Sequence, residues 1–300
     1  MTEPQSTNHL FLVNPVVFFS NPETQGTNRY QNTDKDTAPE VLLERVRNEL
    51  SDFIVKLQER GVTVTQMNGS PECPDHIFPG NWVSTHPDKT AVYYPMLAPN
   101  RRAERTEEIC AFLRQDYKTA FDYAGEAENG KFLEGTGSFT LDRVNKVAYL
   151  GISLRSDKSL AEQWAKDMGY QLIAFNTEIS EDYPVYHTDL IMFIGQKAAG
   201  VCFDCIEDSQ KAYLREVLEK THDIIELNFE QMQDMCGNAL EVLGTDDTPY
   251  LMMSTRAYDA LTEEQITRFK TYYADIIHSP MTTIENYGGG SARCLILELF

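Results

Sequence analysis

Cys294 follows the run Gly288-Gly289-Gly290-Ser291-Ala292-Arg293 and opens the apolar stretch Leu295-Ile296-Leu297. Glycines let a backbone turn tightly and approach another group closely. The run therefore sets a thiol at the junction of a flexible loop and a buried strand, a common seat for a nucleophile. The same segment also reads as a glycine turn before an edge strand with a small core cysteine. A thiol nucleophile needs a base, and the base needs an acid to hold it. Among the six histidines, His9 is near the chain start, His76 and His86 flank a turn-rich segment, and His222 and His278 follow helical stretches. His187 differs, because Tyr186-His187-Thr188-Asp189 runs directly into Leu190-Ile191-Met192-Phe193-Ile194. In an extended chain His187 and Asp189 project to one face, a base beside a cation-binding carboxylate. A surface His-x-Asp pair fits the same residues.

Two further polar clusters stand out. Phe132-Leu133-Glu134-Gly135-Thr136-Gly137-Ser138 puts a carboxylate on a tight turn with little bulk around it. Asp75-His76-Ile77-Phe78-Pro79-Gly80-Asn81-Trp82 combines an acid, an amide and large aromatics. Each also reads as ordinary loop chemistry.

The elements that must position these residues alternate. Helical periodicity covers 39–60, 102–117, 156–168, 208–221 and 262–277, with a capping-box spelling at Thr262-Glu263-Glu264-Gln265. Short β-like runs fall at 10–13, 16–19, 62–65, 91–94, 147–152, 171–175, 190–194, 201–203, 223–227, 250–254 and 295–300. The alternation excludes an all-α or all-β fold. Helices recurring about every 50–65 residues predict a repeated supersecondary unit, so we expect an α/β fold of about five ββαβ-type units in one domain, 1–300. The stretch 21–37 is polar and linker-like, but what precedes it is too small to fold alone. A doubly wound sheet is the competing architecture, and no GxGxxG or GxxxxGK[ST] loop supports it.

Composition narrows the partners. Forty-six acidic against 26 basic residues give a net charge of −20, which repels phosphate backbones and argues against nucleic acid. No apolar stretch approaches the roughly 20 residues that cross a bilayer, and the polar 1–8 lacks a signal-peptide n-region. A cytoplasmic protein acting on a small molecule is expected, and a homo-oligomer is compatible with the sequence. The six cysteines form no disulfide framework. Cys202-Phe203-Asp204-Cys205 has CxxC spacing without a second pair or paired histidines, so both cysteines read as structural, with no metal and no cofactor expected.

Six segments in order resemble the guanidino-group-modifying, or pentein, superfamily of arginine deiminases, dimethylarginine dimethylaminohydrolases and amidinotransferases. They are similar above all to the citrulline-utilisation-type branch of amidinotransferase-like proteins. These are Phe78-Pro79-Gly80-Asn81-Trp82, Asn100-Arg101-Arg102-Ala103-Glu104, Leu133-Glu134-Gly135-Thr136-Gly137, Gly151-Ile152-Ser153-Leu154-Arg155, His187-Thr188-Asp189 and Gly290-Ser291-Ala292-Arg293-Cys294. The resemblance spans nearly the whole chain and implies a five-bladed α/β-propeller with a central site. By it Cys294 is the nucleophile, His187 the general acid/base, Glu134 the acid that orients the histidine, and Asp189 a grip on a guanidinium. Arg101 and Arg155 correspond to arginines that hold an amino-acid carboxylate, and Phe78 belongs to the binding wall. Asn81 stands where deiminases carry a second aspartate, which opens the site to a neutral ureido group. Asp75 is then a candidate for the missing charge. The expected function is a cysteine-dependent hydrolase cleaving a guanidino or ureido C–N bond of an arginine-derived small molecule. An amidinotransferase and a catalytically silent binding protein are the alternatives.

Overall fold

The computed structural model describes residues 3–32, 37–179 and 183–300. Parts of the 1–8 and 21–37 stretches fall outside these. The expected repeat is present as five three-stranded sheets. Strand β1 (His9–Asn14) is joined through helix α1 (Pro39–Gln58) to the parallel β2 (Thr63–Asn68). Next come β3 (Val83–Thr85), β4 (Thr90–Tyr93), α2 (Glu107–Asp116) and β5 (Lys118–Asp122). The short helix α3 (Gly135–Ser138) leads into β6 (Phe139–Asp142), β7 (Val147–Gly151), α4 (Lys158–Met168) and β8 (Gln171–Phe175). The fourth sheet has β9 (Met192–Ile194), β10 (Ala198–Cys202), α5 (Asp208–Glu219) and β11 (Asp223–Leu227). Helix α6 (Phe229–Gln233) precedes β12 (Leu240–Leu243), β13 (Pro249–Ser254), α7 (Thr255–Ala260), α8 (Glu263–Phe269) and β14 (Ile276–Ser279). Strand β15 (Leu297–Leu299) then returns to pair antiparallel with β1, His9 opposite Leu299.

Every sheet therefore has one antiparallel pair and one parallel pair, the parallel one made by a helical crossover. The inner strands β15 and β3, β6 and β9, and β9 and β12 contact one another, so they surround a common axis while the crossover helices lie outside. This is a five-bladed α/β-propeller, closed by pairing the last strand with the first.

Helix formation follows the apolar stripes. α1 buries Leu42, Val46, Leu50, Phe53, Ile54 and Leu57, while Val41, at the stripe's edge, is exposed. α4 is capped by Asp157, whose side chain accepts from the Leu160 N–H, and ends at Gly169 with φ +72°. Three expectations need correction. The helix over 262–277 stops at Phe269, because Ile276 and Ile277 pair with Leu251 and Met252 as a strand. The helix over 102–117 begins only at Glu107: residues Pro99–Glu104 form a separate 3-10 turn and Thr106 caps the helix proper. Residues 16–19 form no strand; Phe18 is a buried anchor and the Val16 N–H donates to His76 Nε2 at 3.2 Å. Strands β3, β5, β6, β12 and β14 had no expectation. At 3–5 residues they are too short to show a period by themselves.

Candidate active site

The polar residues singled out in the sequence collect where the chain enters the inner strands. Pro79–Asn81 forms a 3-10 turn before β3, α3 follows Glu134 before β6, Thr188–Leu190 turns before β9, and Arg293–Leu295 before β15. Asn238 occupies the turn before β12. One tight turn per sheet thus brings Asn81, Glu134, His187 with Asp189, Asn238 and Cys294 toward the axis.

Glu134 is fully buried and lies in a nest of cations. Its Oε2 is 2.9 Å from His187 Nε2, 3.4 Å from Arg155 Nη1 and 3.6 Å from Arg101 Nη1, while Oε1 accepts from the Leu97 N–H at 3.1 Å. Burial alone would raise its carboxyl, but Arg155, the His187 hydrogen bond and Arg101 outweigh it and hold the group below the usual carboxylate range. A permanent anion on Nε2 fixes the imidazole ring and turns Nδ1 toward Gly137. A Cβ at Gly137 would sit 2.6 Å from both His187 Nδ1 and Asn81 Nδ2, so only glycine admits the ring there.

Cys294 is buried, with its thiol donating to Asp189 Oδ2 at 3.2 Å and Asn238 Nδ2 donating to Sγ at 3.1 Å. Burial first, and the Asp189 charge second, push the thiol well above its ordinary value. Burial also raises the Asp189 carboxyl, with His187 and Arg293 pulling the other way. Asp189 Oδ1 is buried without a hydrogen-bond partner. Gly290 packs against the sulfur, a Cβ there lying 3.2 Å from Sγ and 3.1 Å from the Phe78 ring.

A narrow cavity of about 260 Å³, open to solvent on one side, holds the thiol. His187, Asp75, Asn81, Phe78, Arg101 and Arg155 share its lining. Asp75 Oδ2 accepts from Asn21 Nδ2 at 2.8 Å and Thr24 Oγ1 at 3.2 Å, whereas Oδ1 is buried without a partner. Arg101 is committed to protein: Nε and Nη2 donate to Glu104 at 2.6 and 3.1 Å, and Nη2 also donates to Asn81 Oδ1 at 3.0 Å. Arginine has only donors, so the amide must turn its oxygen to Arg101 and its Nδ2 donor toward His187. Arg155 stacks on Tyr186 with its carbon 4.7 Å from the ring centre and donates Nε and Nη2 to Thr27 Oγ1 at 3.1 and 2.6 Å.

Two readings of the sequence are revised. His187 and Asp189 do not share a face of an extended strand: His187 is extended, but the 3-10 turn over Thr188–Leu190 diverts Asp189 to the sulfur while His187 faces Glu134. The linker-like 21–37 stretch is no linker over its described part. Asn21, Thr24, Asn28 and Gln31 are buried, and Asn28 and Gln31 donate to the carbonyls of Gly288 and Gly289 over the cavity. Asn238 was not anticipated at all. Its only sequence signal is a Gly-Asn pair ahead of an apolar run.

The CxxC cysteines are both buried, and Cys205 Sγ donates to the Cys202 carbonyl at 3.4 Å. Among the described residues no helix is long and apolar enough to cross a membrane.

A propeller with a thiol, an imidazole and carboxylates around its axis defines a class, the guanidino-modifying hydrolases of non-peptide C–N bonds. The chain belongs to the family described as N,N dimethylarginine dimethylhydrolase, eukaryotic, whose model matches residues 14–300. No curated protein is similar enough to count as a match. Among solved structures, the chain is similar to the substrate-bound N-terminal domain of ArgZ, a cyanobacterial arginine dihydrolase, in a cysteine-to-serine variant. That match has 14% identity and TM-score 0.75 and covers 97% of each chain. Unliganded AgrE matches at 16% identity and TM-score 0.76, over 97% of this chain and 39% of that one. A histidine-to-glycine variant of dimethylarginine dimethylaminohydrolase, as its adduct with S-methyl-L-thiocitrulline, matches at 14% identity and TM-score 0.65 over the full length of both.

Proposed function

We propose that the chain hydrolyses a C–N bond in the guanidino or ureido group of an arginine-type amino acid through a covalent intermediate on Cys294. The observation that carries this is the juxtaposition, in one cavity, of a Glu134-oriented His187 and a thiol held by Asp189. A guanidinium carbon is a poor electrophile, since its charge is spread over three nitrogens. A carboxylate gripping two N–H groups fixes the plane and turns the carbon to sulfur. Asp189 is the grip. As the substrate cation offsets its charge, the Asp189 contribution to holding the thiol proton is removed, and that proton passes from sulfur to His187. A sulfur lone pair then forms the C–S bond, His187 delivers a proton to the departing nitrogen, and the C–N bond breaks. His187 next takes a proton from water as the oxygen adds to the carbon; the C–S bond then breaks and His187 returns that proton to the sulfur, restoring the thiol.

The unpartnered Asp75 Oδ1 suits the ammonium of an amino-acid head, with Phe78 and Tyr186 as apolar walls, whereas Arg155 would meet its carboxylate only by giving up hydrogen bonds to Thr24, Thr27 or Glu134. Arg101 is read as a support for Glu134 and Asn81 rather than as a carboxylate ligand, because its donors are engaged. The inward Nδ2 of Asn81 favours a substrate that presents an acceptor at that edge, as a ureido carbonyl does. The test is Cys294→Ala assayed on arginine, methylarginines and citrulline for ammonia or amine release. Activity on one of these compounds that the variant loses supports the reading; activity retained by the variant refutes it.

A further inference from the structure

Asn238 makes four hydrogen bonds with a side chain that is wholly buried. Its Oδ1 accepts from the Arg293 and Cys294 N–H groups at 3.0 and 3.3 Å, and its Nδ2 donates to the Asp189 carbonyl at 3.2 Å and to Cys294 Sγ at 3.1 Å. One amide therefore holds the backbone of the thiol residue, the backbone of the neighbouring carboxylate, and the sulfur itself. The approach is made possible by Gly237, where a Cβ would lie 2.1 Å from the Leu190 carbonyl oxygen. The Asn238 N–H donates to the Met235 carbonyl at 2.9 Å, closing the turn that aims the side chain inward.

We propose that Asn238 is a positioning residue of this site, seating Cys294 and donating a hydrogen bond to its sulfur as the nucleophile forms. The proposal rests on the reading of Cys294 as the nucleophile. A backbone clamp alone would need only Oδ1; the donor side is what faces sulfur. A thiolate accepts a hydrogen bond better than a thiol does, so this donor favours the charged form and opposes the Asp189 carboxylate across the sulfur. The other charged or titratable groups around the thiol are His187, Tyr186, Asp75, Arg101 and Arg155 on the cavity wall and Arg293 in its own turn.

Asn238→Asp keeps the shape and the Oδ1 acceptor for both backbone N–H groups but replaces Nδ2 with a second acceptor and adds a negative charge, while Asn238→Ala removes the donor without adding charge. Iodoacetamide alkylation of Cys294 is followed against pH in a protein whose other cysteines are shown by peptide mapping to stay unmodified. The expected result is an upward shift of the alkylation midpoint by about one unit or more, a tenfold loss of thiolate at a given pH. The kcat is expected to fall with KM little changed, and Asn238→Ala to shift the midpoint in the same direction by less. An unmoved midpoint in whichever variant folds overturns the proposal. So does failure of both to fold, which would give Asn238 a purely structural role. Failure of the underlying reading is separately visible as hydrolysis surviving in Cys294→Ala.

Discussion

The Cys294 thiol, itself buried, donates to Asp189 Oδ2 at 3.2 Å. Burial and the neighbouring charge both favour the protonated thiol, so on the proposed mechanism a cation beside Asp189 would ease release of that proton.

The first prediction concerns pH. Because the folded thiol holds its proton more tightly than a free one, thiolate appears only on the alkaline side of the ordinary cysteine value of about 8.5. A neutral reagent such as iodoacetamide should inactivate with a midpoint above that value. A cationic one such as 2-chloroacetamidine brings the charge that offsets Asp189, so its midpoint should lie lower. Coincident midpoints for the two reagents would count against the Asp189 mechanism.

Glu134→Gln should uncouple activity from acid stability. The Glu134 carboxyl is lowered in the folded state, so it contributes stability above its unfolded value of about 4.3 and loses it as pH falls. Urea unfolding between pH 3 and 7 should show that acid-side loss in the parent and a flatter profile in the variant. At pH 7 the variant should be less stable by roughly 3–5 kcal/mol, as expected when one member of a buried ion network is removed, and its kcat should drop because His187 loses its anchor.

Asn81→Asp replaces the inward amide donor with a carboxylate. Preference should move toward cationic guanidino compounds and away from ureido ones, by about tenfold or more in the ratio of kcat/KM values, equivalent to ~1.4 kcal/mol. The ratio measured on a matched pair such as arginine and citrulline decides it. An unchanged ratio would mean that Asn81 Nδ2 does not face the reacting group.

Gly137→Ala places a methyl group within 2.6 Å of His187 Nδ1 and Asn81 Nδ2, closer than real carbon contacts allow. The imidazole must move, and its hydrogen bond to Glu134 must stretch. Activity should fall by about 100-fold, as for comparable displacements of a catalytic group, while thermal unfolding shifts only modestly. A fully active alanine variant would show that the ring position is not critical.

The periodicity of α1 and α4 was legible because each carries an apolar stripe bounded by a cap or breaker, Pro39 and Gly61 for α1, Asp157 and Gly169 for α4. The helix over 262–277 was overread for the reverse reason. Ile276 and Ile277 continue the apolar pattern, yet the partner strand β13 claims them. Inner strands as short as three residues carry no period, and only their neighbours define them.

By itself the sequence determined the α/β repeat, the candidate nucleophile, its histidine and the carboxylates, since these depend on residue type and local order. Tertiary structure alone decided which partners they take. It spends Arg101 on Glu104, sends Asp189 to the sulfur and His187 to Glu134, folds 21–32 over the cavity, and brings Asn238 to Cys294 across 56 residues of chain. Hydrogen-bond partners separated that far are set by how the blades close around the axis. No local pattern encodes that closure.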